Sequence, residues 1–360
     1  MNTNIEISTL LNHFLLDNEK DVENIDKNSQ KKYKTKIINQ CFYSINEANI
    51  SEIIKEIPYY SKSYLIIENY EFIDIRQLND TVLEKLNFDI KDVKYLLFKY
   101  KNIKCLPFND FLFYITTHPK ILIFYLIDIF SYLLQGLIQL NEHNICFFNL
   151  SYKNIVFDLD CREKPLLEDF KYSLQLSKLS VSYISNIIKN LNDYRLKPFE
   201  VHVLFYLIKN DINTISYSFI EQICEIYIKK FNILEFFSES YKEKYKLACI
   251  KSLEKYVNKP KNDIILDILE QHDKWDVYSI SHIFLHIFGS MSRFFSLKNT
   301  FINKITIELA KNIHPDPSKR SDLSTLLKNY QNLLDGEKDW SFVNHMNSSK
   351  MKEFFDILYE

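Results

Sequence analysis

Residues Ile121 to Leu140, ILIFYLIDIFSYLLQGLIQL, form a run of twenty residues that is almost wholly apolar. A run of that length either crosses a bilayer or fills the centre of a large hydrophobic core. Asp128, Gln135 and Gln139 interrupt it, and no basic flank stands on either side. Those features favour a buried core helix over a span. The chain around it has 360 residues, of which 46% are hydrophobic and 15% aromatic. That is enough for one large domain or two lobes around such a helix.

The segment that follows, His143 to Lys171, reads HNICFFNLSYKNIVFDLDCREKPLLEDFK. It predicts two short strands, FFNL and NIVFD, around a polar turn, and then an apolar pair, Leu166 and Leu167, leading into Glu168-Asp169-Phe170. Asn149, Asn154 and Asp169 each sit beside a strand-like apolar segment. The loops between can therefore aim all three into one cleft.

Composition narrows the chemistry. A formal charge of −2, from 45 basic and 47 acidic residues, gives no electrostatic reason to expect nucleic acid. Only Gly136, Gly289 and Gly336 are glycine, where ordinary usage of roughly 7% would give about 25. A glycine-rich phosphate loop is nearly forbidden, because a backbone approaching phosphates closely needs residues without a Cβ. The six cysteines are scattered without a C-x-x-C pair, which reads as reduced thiols in an intracellular protein and not as a zinc site. The start, MNTNIEISTLLNHFLLDNEKD, has neither the basic opening nor the small-residue cleavage site of a signal peptide.

Elsewhere the pattern alternates between strands and helices. Residues 1–32 read as a polar arm around Leu10 to Leu16. Tyr33 to Ile38 has strand character, ANISEIIKEI (48–57) is an amphipathic helix, and SYLIIENYEFIDI (63–75) and VKYLLFKY (93–100) are strands. Residues 201–272 carry helical periodicity in FIEQICEIYIKKFNILEFF and YKLACIKSLEKYV. SHIFLHIFG continues the apolar helix that begins at Lys274-Trp275-Asp276-Val277-Tyr278-Ser279. Residues 336–360 are a polar tail ending in a short helix, MKEFFDILYE.

Several of these segments, in this order, resemble the motifs of the protein kinase family. Phe147-Phe148-Asn149-Leu150, with Asn154 five residues after Asn149, stands where the family has H-R-D-L-x-x-x-x-N. Asp169-Phe170-Lys171 stands for D-F-G, Leu196-Lys197-Pro198-Phe199-Glu200 for A-P-E, and Asp276-Val277-Tyr278-Ser279 for D-x-W-S. Pro315 to Arg320 stands for the closing P-x-x-R. The likeness covers roughly residues 33–335 and is faint in the first third.

The resemblance implies an α+β, bilobal fold with a small β-rich N-lobe and a large, mainly helical C-lobe. It implies an N-terminal arm at 1–32, a reduced N-lobe at 33–104, a C-lobe at 105–335 and a tail at 336–360. An insertion at about 201–272 would be either a partner surface or extra scaffold. Lys36, with Lys34 as competitor, takes the place of the strand lysine that pairs with a helix glutamate, here Glu52. Phe98 guards the back of the nucleotide pocket, and Lys99 and Tyr100 open the hinge that reads adenine. Asn154 and Asp169 are hard oxygen donors suited to Mg²⁺. Asp276 accepts hydrogen bonds from the loop backbone, and Glu200 pairs with Arg320.

At the catalytic aspartate position stands Asn149, which can orient a hydroxyl but cannot take its proton. No glycine covers the phosphates, and Lys171 replaces the D-F-G glycine, either mimicking or blocking a phosphate-side cation. The expectation is therefore a pseudokinase that acts by binding protein, intracellular and without a transmembrane segment. Its AT-rich, divergent style suits a large DNA virus. The alternatives are an active atypical Ser/Thr kinase using ATP and Mg²⁺ on a protein substrate, or a helical structural or interaction protein; without phosphotransfer no cofactor is required.

Overall fold

A computed structural model describes residues 33–74, 94–115, 119–159, 164–189, 191, 197–210, 212–345, 350 and 353–354. The expected arm at 1–32, Leu196, Cys161 and most of the expected C-terminal helix lie outside them.

The first described element, β1 (Tyr33–Asn39), alternates Lys34 and Lys36 on one face with Thr35 and Ile37 on the other, as the two-residue period of a strand requires. Helix α1 (Phe42–Ile54) follows, then β2 (Ile67–Ile73) and β3 (Tyr95–Lys101). β3 is the middle strand of an antiparallel sheet of order β1-β3-β2, which is why its run Tyr95 to Phe98 is apolar and buried throughout. α1 packs on the sheet through Ala48 against Ile67, Leu96 and Phe98, and the Ile67 amide donates to Ser51 Oγ at 3.2 Å. Because β3 continues to Lys101, Lys99 and Tyr100 are ladder residues. The polar connection expected from Lys99 starts only at Asn102.

After β4 (Cys105–Pro107) and α2 (Phe108–Ile115) comes α3 (Pro119–Glu142). Among the described residues its Leu122–Glu142 portion is the one helix long and apolar enough to cross a membrane, with a mean hydropathy of 1.6. It is a core helix here. Phe130 packs against Phe284 and Tyr330 at 4.7 and 4.9 Å, and Tyr330 and Tyr64 donate to the carbonyls of Ile127 and Gly136. Asp128 and Gln135 fall with Phe124 and Tyr132 on its one exposed stripe.

β5 (Ile145–Cys146), β6 (Ile155–Asp158), β7 (Lys164–Leu167) and β8 (Leu174–Gln175) form two small antiparallel sheets, β4-β6-β7 and β5-β8. NIVFD is the strand the pattern predicts, but FFNL is not. Phe148 has φ 61°, left-handed backbone that no strand can pass through. The sequence pattern shows only alternating bulk there, so the correction comes from the tertiary bonds described below.

α4 (Val181–Lys189) leads to α5 (Phe199–Lys209), and then to α6 (Tyr217–Lys230), α7 (Glu239–Leu253) and α8 (Lys261–Leu269), which make up most of the expected insertion. Ile220, Tyr227, Tyr245, Cys249 and Ile264 of these helices belong to the same core as α9 (Trp275–Phe294), which is buried from Trp275 through Leu285. Phe236 lies so close to α9 that a Cβ on Gly289 would stand 2.7 Å from its ring. α10 (Phe301–Asn312) and α11 (Leu323–Asp335) complete the helical layer. Trp340 of the tail closes over Phe124 and Phe301.

Candidate functional site

Beneath the Phe147–Asn149 loop lies a buried carboxylate. Asp276, on the first turn of α9, accepts from the amide of Phe147 at 2.7 Å and from that of Phe148 at 2.8 Å. Burial pushes its carboxyl up, and the two amides, Cys146 and Lys197 pull it back. Lys197 donates to the Phe148 carbonyl, and its ammonium lies 4.9 Å from the centre of the Phe148 ring, whose centroid is 5.3 Å from that of Trp275. A left-handed conformation is costly for a bulky residue and persists only where the surroundings over-determine it. Asp276 and Lys197 do so for Phe148.

A second buried pair fixes the chain further on. Arg320 donates from Nη1 and Nη2 to Glu200 Oε1 and Oε2 at 2.7 and 2.8 Å, with the arginine side chain wholly buried. Its guanidinium lies over Tyr278 at 4.9 Å, and Tyr278 shares a 2.7 Å hydrogen bond with Tyr227. The inserted helices therefore supply part of this polar core.

β1, the start of α1 and the segment after β7 border a half-open cavity of about 860 Å³. Lys34, Lys36, Glu47, Tyr100, Glu168, Asp169 and Lys171 line it, with Leu65 on the apolar side. Its size is that of a small-molecule pocket. Asp169 has φ 63° and accepts from Lys171 Nζ at 2.7 Å. Burial, reinforced by the Asp169 charge and opposed by Lys171 and Lys36, holds the Glu47 carboxyl at about 7. Burial also raises Glu168, and Lys34 and Lys36 oppose the shift.

The structure brings together only part of the set expected from the sequence. Lys36, Asp169 and Tyr100 reach the cavity, as does the competing Lys34. Glu52 does not. Half-exposed, it pairs with Lys55 at 2.6 Å, while Glu47 faces the cleft. Five residues on a helix is roughly 140° past a full turn, so the two glutamates cannot share a face. Phe98 is sealed between sheet and helix, and Lys99 covers Tyr33 at 5.1 Å. Asn149 and Asn154 are absent from the described lining. Asn149 is half-buried, its backbone N–H donating to the Phe147 carbonyl at 2.6 Å, while Asn154 is buried with Oδ1 accepting from Ser151 Oγ at 2.7 Å.

As expected Mg²⁺ ligands, Asp169 and Asn154 are partly engaged: one Asp169 oxygen holds the Lys171 ammonium, and Asn154 Oδ1, outside the cavity lining, holds the Ser151 hydroxyl. Among the described residues no group of three or more His, Cys, Asp or Glu side chains is arranged to hold a metal ion.

Sequence reasoning missed Glu47 and Lys197. Glu47 was findable, because Asn46, Ile50 and Ile54 mark the inner face of α1 and Glu47 lies beside it. Lys197 carried no such signal.

No protein-family model matches the chain, and no curated protein does. Among solved structures it is similar to the twitchin kinase region from C. elegans, at 10% identity and a TM-score of 0.43. The match covers 91% of this chain, which spans 45% of that one.

Proposed function

We propose that the chain is a protein-kinase-like pseudoenzyme of bilobal arrangement, without phosphotransfer, that acts by binding a protein partner. One observation carries the reading. The loop ending in Asn149 is held by Asp276 through two backbone bonds, yet the side chain it presents is an amide. A scaffold of that kind keeps the loop's shape whether or not position 149 can accept a proton. Loss of a general base alone costs on the order of 10²- to 10⁴-fold in rate. The Asp169 carboxylate, engaged by Lys171, supports the same reading.

An active atypical kinase is the second reading, favoured by the convergence of Lys36, Glu47 and Asp169 on one cavity. The two are separated by incubating the full chain with γ-labelled ATP, Mg²⁺ and generic protein substrates beside an Asp169→Ala control. The expected result is no incorporation above that control. Labelling by the wild type that the control abolishes would establish the active kinase.

A further inference from the structure

In the cleft, the place where a divalent cation would be looked for already holds an ammonium. The Asp169 carboxylate, set in left-handed backbone at φ 63°, is bonded to Lys171 Nζ at 2.7 Å. The lysine itself is anchored: its carbonyl accepts from Asn46 Nδ2 at 3.1 Å, and its ammonium lies 5.3 Å from the centre of the Tyr172 ring. The second oxygen donor, Asn154 Oδ1, is taken by Ser151. Lys34 and Lys36, on one exposed face of β1, line the same cavity, and neither forms an ion pair with another described residue. The thirteen-residue helix α1 presents Cys41, Tyr43 and Ser44 of its N-terminal end to the same space. The carboxylates facing these cations are Glu47, Glu168 and Asp169.

We infer that Lys171 supplies from within the chain the positive charge that a metal would bring to Asp169, so that the cleft takes a polyphosphate anion without a divalent cation. Lys171 offers three N–H donors from a point charge, enough for Asp169 and for a phosphate oxygen together. Lys34 and Lys36, which line the same cavity, then meet the rest of the anion. A metal entering the site would share the Asp169 carboxylate with an ammonium already bonded to one of its oxygens, and the two cations would repel each other. The inference rests on the kinase-like reading of the cleft and concerns binding, whether or not phosphate is transferred.

The test is calorimetric titration of the full chain with ATP, in EDTA and in MgCl₂, together with MnCl₂ alone. The wild type is expected to bind ATP with dissociation constants that agree within about twofold in the two buffers, and to show no Mn²⁺ binding by itself. Lys171→Ala should weaken ATP about tenfold or more in EDTA, with Mg²⁺ brought in by the nucleotide restoring the loss, a rescue that Asp169→Asn removes. Lys171→Arg, which keeps the charge, should behave as the wild type and decides the matter if the alanine variant does not fold. Tightening of wild-type binding by Mg²⁺ of about tenfold or more, Mn²⁺ binding to the wild type, an unchanged affinity in Lys171→Ala, or no ATP binding in either buffer would each overturn the inference. Phosphotransfer in the same samples would sink the pseudoenzyme reading and leave these binding comparisons to stand or fall separately.

Discussion

Two sets of charged side chains, one buried beneath the Phe147–Asn149 loop and one lining the cleft beside β1, differ in how completely they are satisfied. In the first, Asp276 and the Glu200–Arg320 pair have short, reciprocal partners and almost no contact with solvent. In the second, Lys34, Lys36, Glu47 and Glu168 share a cavity without closing into ion pairs, and the one bonded pair, Asp169–Lys171, is about one-third exposed. The first set behaves as framework, where removing one partner strands a charge. The second behaves as a surface whose members can be exchanged.

The sharpest way to break that contrast is Arg320→Ala. It leaves Glu200 charged and alone in the core, and should cost about 3–5 kcal/mol of stability in urea denaturation. A loss no larger than that of a surface substitution would remove the distinction between the two sets. Asp276→Asn comes next. An amide has one acceptor oxygen where the carboxylate offers two, so one loop N–H goes unmet, at a cost of about 1–3 kcal/mol in the same assay.

On the cleft side, Glu47→Gln should act through pH. The folded-state carboxyl titrates at about 7 against an ordinary value of 4.5, so its raised affinity for the proton favours the fold in full below pH 4.5. That contribution is lost as pH rises through 7, because the ionised form is disfavoured on burial beside Asp169. The variant should therefore lose the downward slope of stability between pH 4.5 and 7 and gain on the wild type above it, read from melting temperatures across that range. Equal slopes would mean that Glu47 is no more buried than Glu52. Glu52→Ala sets the floor: an exposed i,i+3 pair with Lys55 is worth about 0.5 kcal/mol or less, and thermal melts should barely move.

Much of the framework was legible because it is local or periodic. The Ile121–Leu140 run announced its own burial, and Tyr33–Ile38 and Val93–Tyr100 read as strands because β-branched, aromatic and leucine side chains crowd them. The Glu200–Arg320 and Asp276 contacts followed from the order of motifs. The cleft was less legible. The Lys36-to-Glu52 spacing picked a glutamate on the wrong side of α1, since counting residues along a chain ignores the 100° advance of a helix. FFNL looked like a strand until Asp276, more than a hundred residues away, bent it.

The sequence alone determined that there is a large apolar core around residues 121–140, that no glycine-rich phosphate loop exists, and that an amide stands at position 149. Those are properties of composition and near-neighbour pattern. Only the tertiary structure decided that Glu47 and not Glu52 faces the cleft, that Lys197 and Asp276 hold Phe148 in left-handed backbone, and that Lys171 sits on Asp169. Each of these is a matter of where a side chain points after distant segments pack, and direction is set by the helices and strands that meet around it, not by distance along the chain.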